Sequence, residues 1–90
     1  MTKEELIKNI ETFADQLGHD QFDREVADYK LTKLYDDVQD TNNEEAINEM
    51  DEIVYQYAHE GLANDEAAEN LDFVIDALEA WLWLSEYLAT

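Results

Sequence analysis

The sequence has no cysteine and no proline, and it contains only two glycines among 90 residues. Without cysteine, neither a disulfide framework nor a thiolate metal site can form, which leaves the compartment open and favours the cytoplasm. No apolar run approaches the ~20 residues that a membrane-spanning helix needs. The first residues alternate charged and apolar side chains, unlike a secretory signal. We therefore expect a cytoplasmic protein that does not contact a membrane.

The most informative absence is that of positive charge. All five Lys and Arg residues lie in the first 33, and the rest of the chain carries sixteen acids and no base, within a net charge of −19. Disordered acidic chains are poor in aromatic and large aliphatic residues, whereas 46% of this chain is hydrophobic and ten residues are aromatic. The composition thus predicts a folded domain whose surface charge is matched by a positive partner outside the chain.

The apolar spacing predicts an all-α fold, with residues 1–90 forming a single-domain up-and-down bundle of about four helices. Thr2, Asp20, the polar run 40–43 and Asn64 supply helix N-caps, which places the helices at roughly 3–17, 21–39, 44–60 and 65–88. Gly18 and Gly61 stand where two apolar patterns stop, a position typical of C-cap glycines. The short connections favour antiparallel neighbours.

Apolar residues at helical spacing define the expected core. On the second helix the stripe passes from Phe22, Val26 and Tyr29 to Leu31, Leu34, Tyr35 and Val38, a change that indicates a bend or a break. The other three helices contribute the following residues: Leu6, Ile7, Ile10, Phe13, Ala14 and Leu17; Ala46, Ile47, Met50, Ile53, Val54, Tyr57 and Ala58; Ala67, Ala68, Leu71, Val74, Ile75, Leu78, Trp81 and Leu82.

Acids on the last two helices recur at steps of three and four residues, which places each set on one side of its helix. Like-charge neighbours at this spacing destabilise a helix by roughly 0.2–0.5 kcal/mol per pair, and neither helix carries a Lys or Arg to offset the repulsion. We therefore expect both rows, with Trp83, to bind a partner. The predicted partner-binding residues are Glu45, Glu49, Glu52 and Glu60 on the third helix, and Asp65, Glu69, Asp72, Asp76, Glu79, Trp83 and Glu86 on the fourth.

The charge density of these rows can be compared with that of nucleic acid. B-DNA carries one charge per about 1.7 Å of its axis, or roughly one per 100 Å² of surface. Size scaling gives this chain about one carboxylate per 200–250 Å², and collecting the sixteen C-terminal acids on half of the surface would approach the density of a duplex. The alternatives are an ordinary solvated acidic surface and adaptation to high salt.

The apolar segment Trp81-Leu82-Trp83-Leu84 allows two interpretations. Either the end of the fourth helix is buried between neighbours, or Trp83 and Tyr87 form an exposed aromatic anchor. Such an anchor suits a homodimer contact through residues 81–87 or a hot spot on a basic partner.

We find no catalytic constellation, and we predict a non-enzymatic protein without cofactor or metal. The segment 40–51 partly matches a calcium-binding loop, but Glu45 stands where that loop needs glycine, and helix capping explains the same residues. There is no cysteine nucleophile and no Gly-rich phosphate loop. Neither histidine has a second histidine or a glutamate at metal-ligand spacing.

In size, acidity, helicity and charge layout, the whole chain resembles the small DNA-mimic inhibitors of phages and mobile elements, which include anti-restriction and anti-CRISPR proteins. That resemblance implies a binding inhibitor that blocks the basic cleft of a DNA- or RNA-binding protein, such as a restriction or CRISPR nuclease, and that does not bind nucleic acid itself. The chain is also similar to acidic helical immunity proteins and antitoxins, which implies a single cognate basic toxin. A helical scaffold or oligomerising component is the third hypothesis.

Overall fold

A computed structural model describes the backbone of residues 2–89 and the side chains of residues 2–80. Within this part the chain forms four α-helices and no strand, so the all-α prediction is confirmed. The helices are α1 (Lys3–Gly18), α2 (Arg24–Gln39), α3 (Glu44–His59) and α4 (Asn64–Ala89). No described helix combines the length and the apolarity needed to cross a membrane.

The helices form a ring of antiparallel neighbours. The Cβ of Ala68 lies 3.5 Å from the point that a Cβ added to Gly18 would occupy, so the end of α1 lies beside the start of α4. Halfway along α4, the side-chain amide of Asn43 donates to the Ala77 carbonyl at 3.2 Å. Thus α4 packs against both α1 and α3, while α2 packs against α3 and only lightly against α1. The result is the predicted up-and-down bundle.

The buried residues recur at helical spacing on each helix and meet in one core. The predicted core of α1 is entirely buried. On α3 the most buried residues are Ala46, Met50, Ile53 and Tyr57, whereas Ile47 and Val54 are half-buried and Ala58 is exposed. On α4, Ala67, Leu71, Val74, Ile75 and Leu78 are buried together with Ala77. The predictions for Trp81 and Leu82 lie outside the described side chains.

The predicted change of stripe on α2 is wrong. Val26 and Tyr29 are 41% and 65% exposed, and Ala27 is buried in their place. The buried residues of α2 are Ala27, Leu31, Leu34 and Val38, at steps of four, three and four. A single stripe therefore runs along an unbroken helix. The small Ala27 side chain allows close packing of α2, and the larger Val26 and Tyr29 remain on the surface.

Three predicted caps are also corrected, at Gly18, Asp20 and Asn64. Asp23, not Asp20, caps α2, because its Oδ1 accepts the Val26 backbone N–H at 2.8 Å. Asp20 instead takes the left-handed conformation after α1, with φ 54°. Its N–H donates to the Leu17 carbonyl, and the Gln21 N–H donates to the Gln16 carbonyl, which is the Schellman ending of a helix. Gly18 is consequently the last residue of α1 rather than its left-handed terminator.

The predicted caps at Thr2 and Gly61 are confirmed. The Thr2 hydroxyl accepts the Glu5 N–H at 3.2 Å, and Gly61 follows α3 with φ 70°. Within the run 40–43, Asn43 is the N-cap of α3 and accepts the Ala46 N–H at 3.1 Å. Residues 44–51 are helical, so the segment that partly matches a calcium loop serves as a helix start.

Asn64 begins α4 rather than capping it, since the Ala63 carbonyl already accepts the Ala67 N–H at 2.9 Å. Its side chain connects three parts of the chain instead. The Asn64 carbonyl oxygen accepts the Tyr57 hydroxyl at 2.6 Å, and its amide donates to the Asp20 carboxylate at 3.2 Å. This polar network fixes one end of the bundle.

Candidate protein-binding face

The α4 row consists of Asp65, Glu69, Asp72, Asp76 and Glu79, and all five side chains are exposed. Core packing of α4 through Leu71, Val74 and Leu78 turns the row outward, because a helix advances about 100° per residue. From Asp65 to Glu79 the row extends about 21 Å at ~1.5 Å per residue. Glu86 and Trp83 lie outside the described side chains.

The α3 row consists of Glu45, Glu49 and Glu52, at the same helical spacing, but the next position of the row is a glutamine. Glu45 and Glu52 are exposed and Glu49 is half-buried. Gln56 continues the row and donates to the Glu52 carboxylate at 3.3 Å. Glu60 lies beyond the last helical residue, where it lines a hollow of about 370 Å³ together with Glu66 of α4. The hollow thus adds Glu66, an acid that was not predicted as a site residue.

A shallow groove of about 170 Å³ separates α3 from α4. Two carboxylates of the α3 row, Glu49 and Glu52, line one wall, with Ile53 at the base. Asn70 and Phe73 line the opposite wall. The α3 row therefore lies beside α4. The side chains of α4 that face it are Asn70 and Phe73, not the carboxylates of the α4 row.

The α4 row lies on the far side of Phe73. At about 100° per residue, the centre of the row is about 80° from Phe73 and about 60° from Ala68. Ala68 faces α1 through its contact with Gly18, so the α4 row lies between Phe73 and the α1 side of the helix. Phe73 and Asn70 consequently separate the two rows. The face formed by both helices consists of two lines of carboxylates with an aromatic side chain between them.

Phe73 belongs to this face and, like Glu66, is not among the predicted partner-binding residues. Its side chain is 58% exposed, although phenylalanine is usually buried in a core. The signal was present in the sequence, because Phe73 falls between the inward positions Leu71 and Val74 and off the apolar stripe. An exposed aromatic ring among charges is typical of a protein contact.

Helices α3 and α4 carry no Lys or Arg of their own, and among the described side chains no Lys or Arg after Lys3 forms an ion pair with a carboxylate of either row. Twenty-four acids on a surface of 5835 Å² correspond to about one per 240 Å² on average. The described residues contain no group of three or more His, Asp or Glu side chains that could hold a metal ion. What the face can do chemically is attract and pair with cationic groups.

Comparison with known proteins does not assign the chain to a family. No family model matches it, and neither curated proteins nor solved structures yield a match. The function is therefore proposed from charge and geometry.

Proposed function

We propose that this protein is a non-enzymatic inhibitor that presents the carboxylates of α3 and α4 to the basic cleft of a DNA- or RNA-binding protein. The observation that supports the proposal is the pair of exposed carboxylate rows on helices that lack any Lys or Arg. Carboxylates along a helix are roughly 5–6 Å apart, and they occupy the Lys and Arg side chains that would otherwise contact phosphates.

The repulsion within the rows supports a partner rather than a role in stability. Each like-charge pair destabilises its helix by roughly 0.2–0.5 kcal/mol. Several such pairs amount to a sizeable part of the ~5–15 kcal/mol that keeps a domain folded. A basic cleft relieves this repulsion on binding. The electric field of the carboxylates also accelerates association of the two proteins.

The proposal is tested by first capturing the partner. The immobilised protein is incubated with a lysate of its native host, eluted by a salt step, and the retained proteins are identified by mass spectrometry. We expect a basic nucleic-acid-binding protein whose DNA or RNA is displaced by this chain. Retention of acidic or neutral proteins alone would contradict the proposal.

The captured partner then allows a charge-matched comparison. The row variant Asp72→Asn/Asp76→Asn/Glu79→Gln removes three charges from the α4 row. The control variant Glu25→Gln/Asp36→Asn/Asp51→Asn removes three charges elsewhere, two of them on α2, which does not pack against α4. We expect the row variant to associate about ten-fold more slowly and with a weaker salt dependence. Equal slowing by the control variant would mean that only net charge matters and would refute a defined face.

Phe73 favours a second candidate function, an immunity protein or antitoxin for one cognate basic toxin. Charge alone attracts many basic proteins, whereas a ring that must fit a pocket selects one. The two functions differ in the number of proteins that the chain would inhibit. Inhibition of several unrelated DNA-binding proteins supports the general mimic, and inhibition of one captured protein alone supports the cognate inhibitor.

A further inference from the structure

The bundle has a second surface of a different character, a groove between α1 and α2. These two helices are neighbours in the ring but touch only lightly. One end is closed where Phe13 stacks on Phe22, with ring centroids 5.6 Å apart. Beyond this stack a groove of about 390 Å³ lies between the two helices, with Phe13 and Leu34 among its lining residues.

The α2 wall of this groove combines exposed apolar side chains with positive charge. Tyr29 is 65% exposed and lines the groove beside Lys30 and Lys33, and Asp37 lies one turn beyond Lys33 on the same wall. Val26, 41% exposed, precedes Tyr29 by one helical turn. The spacing of three, one and three residues places the two apolar side chains and the two lysines along one strip of α2.

The charged residues that line this groove are two lysines and Asp37, a net charge of +1, whereas the molecule as a whole is strongly acidic. Lys30 and Lys33 are two of only five cations in a chain of net charge −19. No carboxylate within 4 Å pairs with either lysine among the side chains described, and Lys30 lies 5.1 Å from the Phe22 ring centroid. The α3 row and the α4 row lie elsewhere on the ring, so a partner bound to them would leave this groove free.

We infer that the α1–α2 groove is a docking site for an acidic amphipathic helix of a second protein. The groove between two neighbouring helices is a trough into which the apolar side of a third helix can pack. Phe13, Leu34 and Tyr29 receive its apolar residues. Lys30 and Lys33, on the rim, pair with its Asp or Glu residues, and the hydroxyl and amide groups of Thr12 and Gln16 on the α1 wall supply further polar contacts.

The test uses two labelled synthetic peptides of about 18 residues, long enough to form a helix. Both carry Leu and Phe at positions i, i+3, i+4 and i+7. One has Glu flanking this stripe and the other has Gln, so the pair differs only in charge. Fluorescence anisotropy measures their binding to the full chain and to three single variants: Lys33→Gln, Tyr29→Ala and Lys3→Gln, the last as a charge-matched control outside the groove.

We expect the Glu peptide to bind the unmodified chain more tightly than the Gln peptide. Lys33→Gln should weaken the Glu peptide about two- to five-fold and leave the Gln peptide unchanged, the range expected for one exposed ion pair. Tyr29→Ala should weaken both peptides about ten-fold, and Lys3→Gln should weaken neither. Circular dichroism confirms that each variant retains its helices.

Equal binding of the two peptides, or equal weakening by Lys3→Gln and Lys33→Gln, would overturn the inference. Sedimentation equilibrium up to about 100 µM provides the second readout, since association depends on concentration. A monomer supports a separate protein as the occupant. A dimer that is lost in Lys33→Gln would assign the groove to a second copy of this chain and overturn the stated partner.

Discussion

The guanidinium of Arg24 lies 3.9 Å from the ring centroid of Tyr57 and donates from Nη2 to the Tyr57 carbonyl at 2.7 Å. One side chain at the start of α2 thus holds both the ring and the backbone near the end of α3. The carbonyl belongs to the last turn of α3, where the helix dipole favours a positive charge. The Tyr57 ring is in turn buried against the core.

Replacing this arginine should destabilise the fold. Arg24→Ala removes a charge-assisted hydrogen bond and a cation–π contact, and we expect the free energy of unfolding to fall by about 1–2 kcal/mol. Lys33→Ala removes the same charge from an exposed position and should change it by less than about 0.5 kcal/mol. Urea denaturation measures both. Equal losses would mean that net charge, not the Tyr57 contact, causes the effect.

Tyr57 should make stability sensitive to alkaline pH. Burial raises the pKa of the Tyr57 hydroxyl above its ordinary value of 10.0, an effect that Arg24 opposes. The folded state holds this proton more tightly than the unfolded state. The resulting contribution of Tyr57 to the free energy of unfolding is therefore complete below pH 10 and is lost as pH rises through the folded pKa.

Thermal melts between about pH 9 and about pH 11 should show this loss in the native chain and a smaller loss in Tyr57→Phe. Tyr29→Phe, altered at an exposed position, should retain the full loss. If Tyr57→Phe and the native chain lost stability in parallel, the pH dependence would have another origin.

The two glycines should respond in opposite ways to alanine. Gly61 has φ 70°, and nothing lies within 4 Å of a Cβ placed there, so Gly61→Ala is strained by its backbone alone and should lose about 1 kcal/mol. Gly18 is helical, and its added Cβ would meet Ala68 at an ordinary 3.5 Å. Gly18→Ala should therefore keep or gain up to about 0.5 kcal/mol through helix propensity. Melting temperatures of the two variants check the contrast.

Salt should stabilise the protein. With a net charge of −19, screening weakens self-repulsion, so the melting temperature should rise as sodium chloride increases to about 0.5 M. The row variant Asp72→Asn/Asp76→Asn/Glu79→Gln should melt at a higher temperature in low salt and gain less from added salt. A melting temperature that stays flat or falls with salt would show that the acids are dispersed enough not to repel appreciably.

Phe73 should contribute to binding rather than to folding. Phe73→Ala should lower the affinity for the captured basic partner at least about ten-fold, while the stability changes by less than about 1 kcal/mol because the ring is mostly exposed. Tyr55→Ala, at a ring that is 56% exposed on α3 and lies 4.9 Å from the His59 ring at a tilt of 45°, is the matched control. If Tyr55→Ala and Phe73→Ala lowered the affinity equally, the partner contact would not be confined to the face formed by the α3 and α4 rows.

Sequence patterns predicted the helices well where the signal was local. The apolar stripe of α1 and the Thr2 cap depend on neighbouring residues, and both are confirmed. Residue type alone predicts caps at Asp20 and Asn64, and both predictions are wrong. Their observed roles depend on partners distant in sequence or on a left-handed turn, since Asn64 bonds to Tyr57 and to Asp20. Local propensity does not contain such partners.

The sequence alone determined four amphipathic helices and the presence of two regular carboxylate rows, because periodicity and charge are properties of each segment by itself. How these segments combine depends on contacts between the helices. Contact of Ala68 with Gly18 turns the α4 row toward α1, and the groove beside Glu49 and Glu52 exposes Phe73 between the rows. Which flank of an amphipathic helix meets which neighbour depends on the packing of all four helices, and helical periodicity does not specify it.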